Sequence, residues 1–390
     1  MSEKRLLIIT NRFPAGPDDP AAPFVYDFKR ALGQGEIIAD IITPYYRPYR
    51  NDTRYIDSSV HPFAWSDGSH VISQLPLYDP RSFLKVRKYL QNGYAASAAL
   101  LREYKYRAIL ALWALPSGYI ARELSHDFGI PYAVWTLGSD INDWARRPFM
   151  GRLVAGILKQ AAMLYADGYE LAAKTQALSG RDCRFLPSYH AVHIEETKTA
   201  TTEKYFVCIG RIEKEKGVFD LLESFRLFAC GHPEWHLYYI GTGRAEAALS
   251  VKVKTYHLGN CVHCSGYLER KAANRLLLRA RAVIIPSHSD SLPLTFGESM
   301  QAGRPVITSD IGDMPRFIDK YHVGHYYPVG NIEALHDRMN LIISDEKELA
   351  RNCPEVIKEL DIANAAREIS RWLHSLQPDK QKDIIQYAGA

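Results

Sequence analysis

Short apolar runs alternate along this chain with longer stretches of helical spacing, and few folds accept that alternation. It is the signature of β-α units feeding a mostly parallel sheet. In the first half the pattern predicts strands at Leu6–Thr10, Ile37–Thr43, Ala108–Leu112, Tyr132–Thr136, Ala162–Ala166 and Arg184–Leu186. Helical spacing falls between them at Arg81–Arg102 and Pro116–Phe128. The second half repeats the grammar with strands at Tyr205–Ile209, Leu237–Ile240, Cys261–Ser265, Ala282–Ile285 and Pro305–Thr308. Its helices fit Val218–Gly231, Arg244–Tyr256, Glu269–Ala280, Gly297–Ala302, Ile332–Ser344 and a last run Glu355–Leu376. That last run has no strand after it to cover, so it could fold back across the domain junction.

A chain of 390 residues is long enough for two such series, at roughly 150 residues per domain. The polar stretch His193–Lys204, with three Glu, two Lys and four Thr, separates them as a linker. The expected organisation is therefore a first doubly wound α/β domain over 1–192, the linker 193–204, a second over 205–375, and a tail 376–390 that could cross back to the first. Each sheet should open a crevice at the carboxyl ends of its strands.

Composition narrows the function classes. With 47% apolar and 24% charged residues the chain is an ordinary globular protein. The net charge of +4 demands no polyanion, although residues 1–190 carry 23 basic against 18 acidic groups and residues 191–390 carry 25 against 26. No apolar stretch of about 18 residues exists to span a bilayer. The opening Met1–Arg5 runs into an apolar strand too short for a signal-peptide core. Six scattered cysteines fit a reducing compartment. A cytoplasmic location is expected.

The strongest local signal is Gly210-Arg211-Ile212-Glu213-Lys214-Glu215-Lys216-Gly217, directly after the strand Tyr205–Ile209. A strand that ends in Gly, presents two cations five residues apart and then starts a helix is a natural cradle for a diphosphate. Such a run is equally often a solvated loop. The second signal is Pro286-Ser287-His288-Ser289-Asp290-Ser291-Leu292-Pro293-Leu294-Thr295-Phe296-Gly297-Glu298, again after a strand. Its two carboxylates, Asp290 and Glu298, are separated by seven residues. Carboxylates so placed can accept hydrogen bonds from sugar and ribose hydroxyls, while the loop's amides face phosphate. The plainer alternatives are a helix-dipole partner for Glu298 and a turn cap for Asp290.

Together with Ala302-Gly303-Arg304-Pro305-Val306-Ile307, these segments resemble the retaining family-4 glycosyltransferases of the GT-B fold. The first half agrees, since Trp113-Ala114-Leu115-Pro116-Ser117-Gly118, Trp135-Thr136-Leu137-Gly138-Ser139-Asp140-Ile141, Ala166-Asp167 and Phe185-Leu186-Pro187-Ser188 are similar to that family's acceptor-side domain. The resemblance implies two facing Rossmann-like domains with a cleft between them. It implies that Arg211 and Lys216 grip the donor pyrophosphate, that Glu298 holds the ribose hydroxyls, and that Asp290 holds the donor sugar. Gly210, Gly16 and the amides of Leu294, Thr295 and Phe296 would approach the phosphates and sugar, and Tyr267 would border the base. On the acceptor side it points to Ser117, Ser139 and Asp140, the last with an N-cap role as the plainer alternative.

The implied reaction is transfer of a sugar from a nucleoside-diphosphate donor to a saccharide or lipid-linked saccharide, with retention, in polysaccharide assembly. Fixed cations can stabilise the leaving diphosphate without a metal, and no Asp-x-Asp motif is present. Neither metal nor cofactor is expected. Three positions depart from the family: Asp290 stands where Glu is usual, Leu137 where many relatives carry His, and Ala22 where a Gly before Pro-Phe-Val is usual. Asp290 and Leu137 motivate the rival reading, a sugar-nucleotide-binding protein without transfer activity; a sugar-nucleotide hydrolase or epimerase on the same fold is a further alternative.

Weaker signals remain. Cys261-Val262-His263-Cys264 has metal-ligand spacing but no second pair, and reads as structural. Gly241-Thr242-Gly243 lacks the third glycine of a dinucleotide fingerprint. The segments 83–88 and 144–152 mix basic and apolar residues. They could dock the first domain on an anionic membrane surface.

Overall fold

The computed structural model describes residues 4–16, 19, 22–46, 56–66, 72, 75, 80–189 and 202–376. The expected linker therefore lies outside the described residues except for its last three, 202–204, and so does the tail beyond residue 376. The chain divides into two compact units, Met1–His190 together with Ile362–Ala390, and Ala191–Asp361.

The first unit runs β1 (Lys4–Ile9), α1 (Pro23–Gln34), β2 (Ile37–Pro44), β3 (Val60–Phe63), α2 (Pro80–Glu103), β4 (Ala108–Leu112), α3 (Tyr119–Phe128), β5 (Tyr132–Thr136), α4 (Pro148–Gln160), β6 (Met163–Ala166), α5 (Tyr169–Ser179) and β7 (Arg184–Phe185). The second runs β8 (Tyr205–Ile209), α6 (Val218–Gly231), β9 (His236–Ile240), α7 (Glu246–Thr255), β10 (Val262–Cys264), α8 (Arg270–Arg279), β11 (Ala282–Ile285), α9 (Leu294–Gln301), β12 (Val306–Ser309), α10 (Met314–Tyr321), β13 (Gly324–Tyr327) and α11 (Ile332–Leu360). A last helix, α12 (Ile362–Ser375), belongs to the first unit.

Every paired strand is parallel to its neighbours, in the orders β3-β2-β1-β4-β5-β6-β7 and β10-β9-β8-β11-β12-β13. The chain's direction of winding therefore reverses between β1 and β4 in one sheet and between β8 and β11 in the other. Such switch points leave a crevice at the carboxyl ends of the strands. The central strands are apolar throughout because helices cover both faces: Ala108–Leu112 and Tyr132–Thr136 are buried at every position. In the first unit α2, α3 and α4 cover one face around Tyr89, Leu124 and Ile157, while α1 and α12 cover the other around Phe28, Trp135 and Trp372.

Two expectations are corrected here. The run Glu355–Leu376 is not one helix, since α11 continues from Ile332 to Leu360 and the chain breaks at Asp361. The second domain accordingly ends at Asp361, and the return to the first unit begins at Ile362 instead of residue 376. The physical reason is the apolar stripe of α12: Ile362, Ala365, Ala366, Ile369, Trp372 and Leu373 are buried in the cluster that holds Phe24, Val25 and Phe28. Burying a large apolar side chain contributes about 1.5–3 kcal/mol. Arg184 reinforces the seat by pairing with Glu368 at 2.6 Å.

Candidate functional site

The second unit's switch point is built by the segments that follow β8 and β11. Strand β8 ends at Ile209, and Gly210, at φ +150, donates its amide to Ile240 O at 3.0 Å. Arg211 then projects into solvent with no hydrogen bond or ion pair among the described residues. Ile212 turns back into the core, and buried Glu213 pairs with Arg244 at 3.1 Å. A single 3-10 turn, Lys214–Lys216, leads to Gly217. A Cβ on Gly217 would lie 1.9 Å from Pro286 O, and its φ of +66 is the left-handed region. Only glycine lets the two loops approach so closely.

Cross-links then lock one loop to the other. The His288 amide donates to Glu215 O at 2.9 Å, and the His288 Nε2 and Asp220 Oδ2 are 2.6 Å apart. Lys216 Nζ donates to both carboxylate oxygens of Asp290, at 2.7 and 2.6 Å. Thr295 Oγ1 donates to Ile209 O at 3.1 Å. Gly312, from the loop after β12, comes so close to Ser291 that a Cβ would lie 2.0 Å from its carbonyl oxygen. Three loops thus converge at one edge of the sheet, and the loop after β9 joins them. The glycines Gly241 and Gly243, weak as a dinucleotide fingerprint, have a plain packing role here. Their would-be Cβ atoms fall 2.0 Å from Gly210 O and 2.2 Å from Ile212 O.

Helix α9 begins at Leu294, three residues before the expected Gly297, because Pro293 supplies the turn at its start. The Phe296 amide is taken by Pro293 O at 2.9 Å, which removes it from the amides expected to meet a ligand. The amides of Leu294 and Thr295 head the helix as donors, with no backbone partner among the described residues. Glu298 is half-buried, and its carboxylate has no hydrogen-bond or ion-pair partner among the described residues. Burial pushes its carboxyl above the ordinary value, with Arg270 pulling the other way. A half-buried acid without a protein partner is poised to accept hydroxyl donors. Tyr267 stands exposed after Gly266, whose carbonyl accepts the Gly241 amide at 2.8 Å.

In the first unit the expected acceptor-side residues are spent on the protein itself. Asp140 is only 1% exposed. Its Oδ2 accepts from the Ala114 amide at 2.8 Å and its Oδ1 from the Leu137 amide at 3.3 Å. Burial raises its pKa to about 6, opposed by those amides. Asp140 therefore ties the segment after β4 to the segment after β5, and the expected contact with acceptor hydroxyls is corrected to this anchoring role. Ser117 is likewise buried, its Oγ donating to Asn11 Oδ1 at 2.7 Å, while Asn11 Nδ2 donates to Leu115 O at 3.1 Å. Ser139 is exposed. Gly16 has no atom within 4 Å of its would-be Cβ, and its carbonyl accepts from the Asp19 amide at 3.2 Å. Ala22, in the place of the family's usual glycine, takes φ 55 and ψ 49. That left-handed geometry explains why glycine suits the position.

Sequence reasoning missed Asn11, Asp220 and His288. Asn11 and Asp220 carry no motif; His288 sat inside a quoted loop without a role, because its partner lies 68 residues away.

Residues 191–360 match the family model described as Glycosyl transferases group 1, which is nearly the whole of the second unit. Among curated proteins the chain is similar to the putative teichuronic acid biosynthesis glycosyltransferase TuaC of Bacillus subtilis, at 26% identity over 63% of this chain and 66% of that protein. The chain thus spans just under two thirds of that relative's length. Among solved structures it is similar to sucrose-phosphate synthase from Thermosynechococcus elongatus (TM-score 0.74, 18% identity, 96% of this chain and 100% of that one). It is also similar to HepE from Anabaena in complex with UDP (TM-score 0.72, 14% identity, 95% and 100%). The two parallel-sheet units are those of the GT-B fold, and the second is the part that matches the group 1 glycosyltransferase model.

Proposed function

We propose that the chain transfers a sugar from a nucleoside-diphosphate donor to a saccharide or lipid-linked saccharide in polysaccharide assembly, with retention of configuration. The observation that carries the reading is the β8/β11 edge. It presents two groups with no hydrogen-bond or ion-pair partner among the described residues, the exposed guanidinium of Arg211 on one loop and the half-buried carboxylate of Glu298 on the helix that follows the other, and the two loops are held together by Lys216–Asp290 and His288–Asp220. The match to a group 1 glycosyltransferase and the likeness to a UDP-bound fold support the same assignment.

In this reading Arg211 and Lys216 neutralise the diphosphate as the bond from the anomeric carbon to its oxygen breaks, so the stabilised charge is the one that grows in the transition state. No metal is assigned a part. Asp290, freed from Lys216 or sharing it, receives hydroxyls of the sugar, and Glu298 those of the ribose. The acceptor hydroxyl attacks from the face the diphosphate leaves, and its proton passes to a departing phosphate oxygen. The reaction is placed on the cytoplasmic side, where nucleotide sugars are made.

The test is a screen of UDP-, GDP- and ADP-sugars by thermal shift, because a donor stabilises the fold it binds. The donor that raises Tm is then incubated with candidate saccharide acceptors. A new α-linked glycoside from an α-linked donor is the expected product. Free sugar without a glycoside would replace transfer with hydrolysis, and a β-linked product, read from its NMR coupling constant, would refute retention.

A further inference from the structure

Apart from the donor edge, the first unit carries a surface that nothing above uses. Helix α2 connects strands that are parallel, as does α4, so both run antiparallel to the sheet and begin at its carboxyl edge. Both lie on the same face, with α3 between them. Each start exposes large apolar side chains. Phe83 is 70% exposed and Leu84 63%, within the first two turns of α2, and Phe149 is 84% exposed on the first turn of α4. Exposed cations flank them: Arg87 and Lys88 beside the first pair, Arg146 and Arg152 beside Phe149. No Asp or Glu occurs from Arg81 to Arg102, nor from Trp144 to Ala166.

A solvated helix face ordinarily mixes both signs of charge and hides its phenylalanines. Here two helix starts on one face do neither. We propose that this rim is a docking surface for an anionic lipid bilayer, with Phe83, Leu84 and Phe149 entering the headgroup boundary and the cations meeting lipid phosphates. Charge complementarity selects the partner, because acid-free cationic segments repel basic surfaces and gain most beside fixed negative charge. The apolar side chains select a bilayer over a soluble polyanion, which would offer them nothing to enter. The inference stands independently of the assigned reaction.

The test is co-sedimentation of the full chain with vesicles of phosphatidylcholine alone and of phosphatidylcholine with phosphatidylglycerol, at physiological salt. The wild type should prefer the anionic vesicles by at least about thirty-fold. The double variant Arg87→Gln, Lys88→Gln should lose about thirty-fold, since each cation near the surface contributes about five-fold. Phe149→Ser, and separately Phe83→Ser with Leu84→Ser, should each lose about ten-fold or more. All these positions are exposed, and circular dichroism confirms folding of each variant. Absence of vesicle binding, equal binding to neutral vesicles, or full binding by the serine variants would overturn the proposal. So would binding to a soluble anionic polysaccharide in place of vesicles.

Discussion

The two switch points of this molecule occupy equivalent places in their sheets and are built in opposite ways. At β1/β4, polar side chains close on one another: Ser117 donates to Asn11, Asn11 to the Leu115 carbonyl, and Asp140 takes two backbone amides. At β8/β11, cross-links run between loops, Lys216 to Asp290 and His288 to Asp220, yet Arg211 and Glu298 have no hydrogen-bond or ion-pair partner among the described residues. The first arrangement spends its polar groups on rigidity. The second spends some on rigidity and presents the rest. A parallel sheet offers a crevice at every switch point, but only unspent polar groups make one a recognition site.

The contrast can be broken most severely at the cations. Arg211→Ala and Lys216→Ala should each fold, since both side chains lie on a surface loop, and each should lose on the order of 2–4 kcal/mol of transition-state stabilisation. Steady-state kcat/KM for transfer reads this loss, and wild-type turnover in either variant would dismantle the grip.

Next in size is a stability effect in the other unit. The folded pKa of Asp140 is raised to about 6 from 3.8, so the protonated form is favoured in the native state. Its contribution to stability is fully present below about pH 4 and is lost as pH rises through 6, by up to about 3 kcal/mol. Asp140→Asn should remove that slope from the pH dependence of Tm between pH 4 and 7. An unchanged slope would show that Asp140 is not the buried anchor described. Donor binding should be untouched by the substitution.

Smaller again is the effect of His288→Ala, which cuts one cross-link and leaves Lys216–Asp290 in place. Donor KM should rise about five-fold, equivalent to about 1 kcal/mol, with kcat less affected, and His288→Asn should restore part of it. Equal losses in kcat and KM terms would make His288 more than a positioning residue. Smallest is Ala22→Gly, which relieves a left-handed alanine and should raise stability by about 0.5–1 kcal/mol in chemical denaturation. Destabilisation would contradict the φ of 55.

Much of the architecture was legible in sequence. Ala108–Leu112, Tyr132–Thr136, Tyr205–Ile209 and Ala282–Ile285 were read to their ends, because a strand buried on both faces has to be apolar throughout. The edge strands Val60–Phe63 and Gly324–Tyr327 escaped. Each contains His, and one contains Pro and the other Gly, since one partner and partial exposure relax the demand. The helix break at Asp361 was hidden because both sides have strong helical spacing. At the β8/β11 edge, glycines and cations announced themselves through their local pattern. Asp140 misled for the opposite reason. Its partners are backbone amides, one of them 26 residues away, and an amide in a distant loop leaves no mark in a side-chain pattern.

The contrast between the two switch points is tested most directly by calorimetric titration of the full chain with UDP, GDP and ADP, comparing the wild type with Arg211→Ala and Ser117→Ala. One of the three nucleoside diphosphates should bind the wild type. Arg211→Ala should raise its Kd by about ten-fold or more, and Ser117→Ala should leave it unchanged. Binding that is indifferent to Arg211, or weakened equally by Ser117→Ala, would contradict the assignment of the donor to the β8/β11 edge.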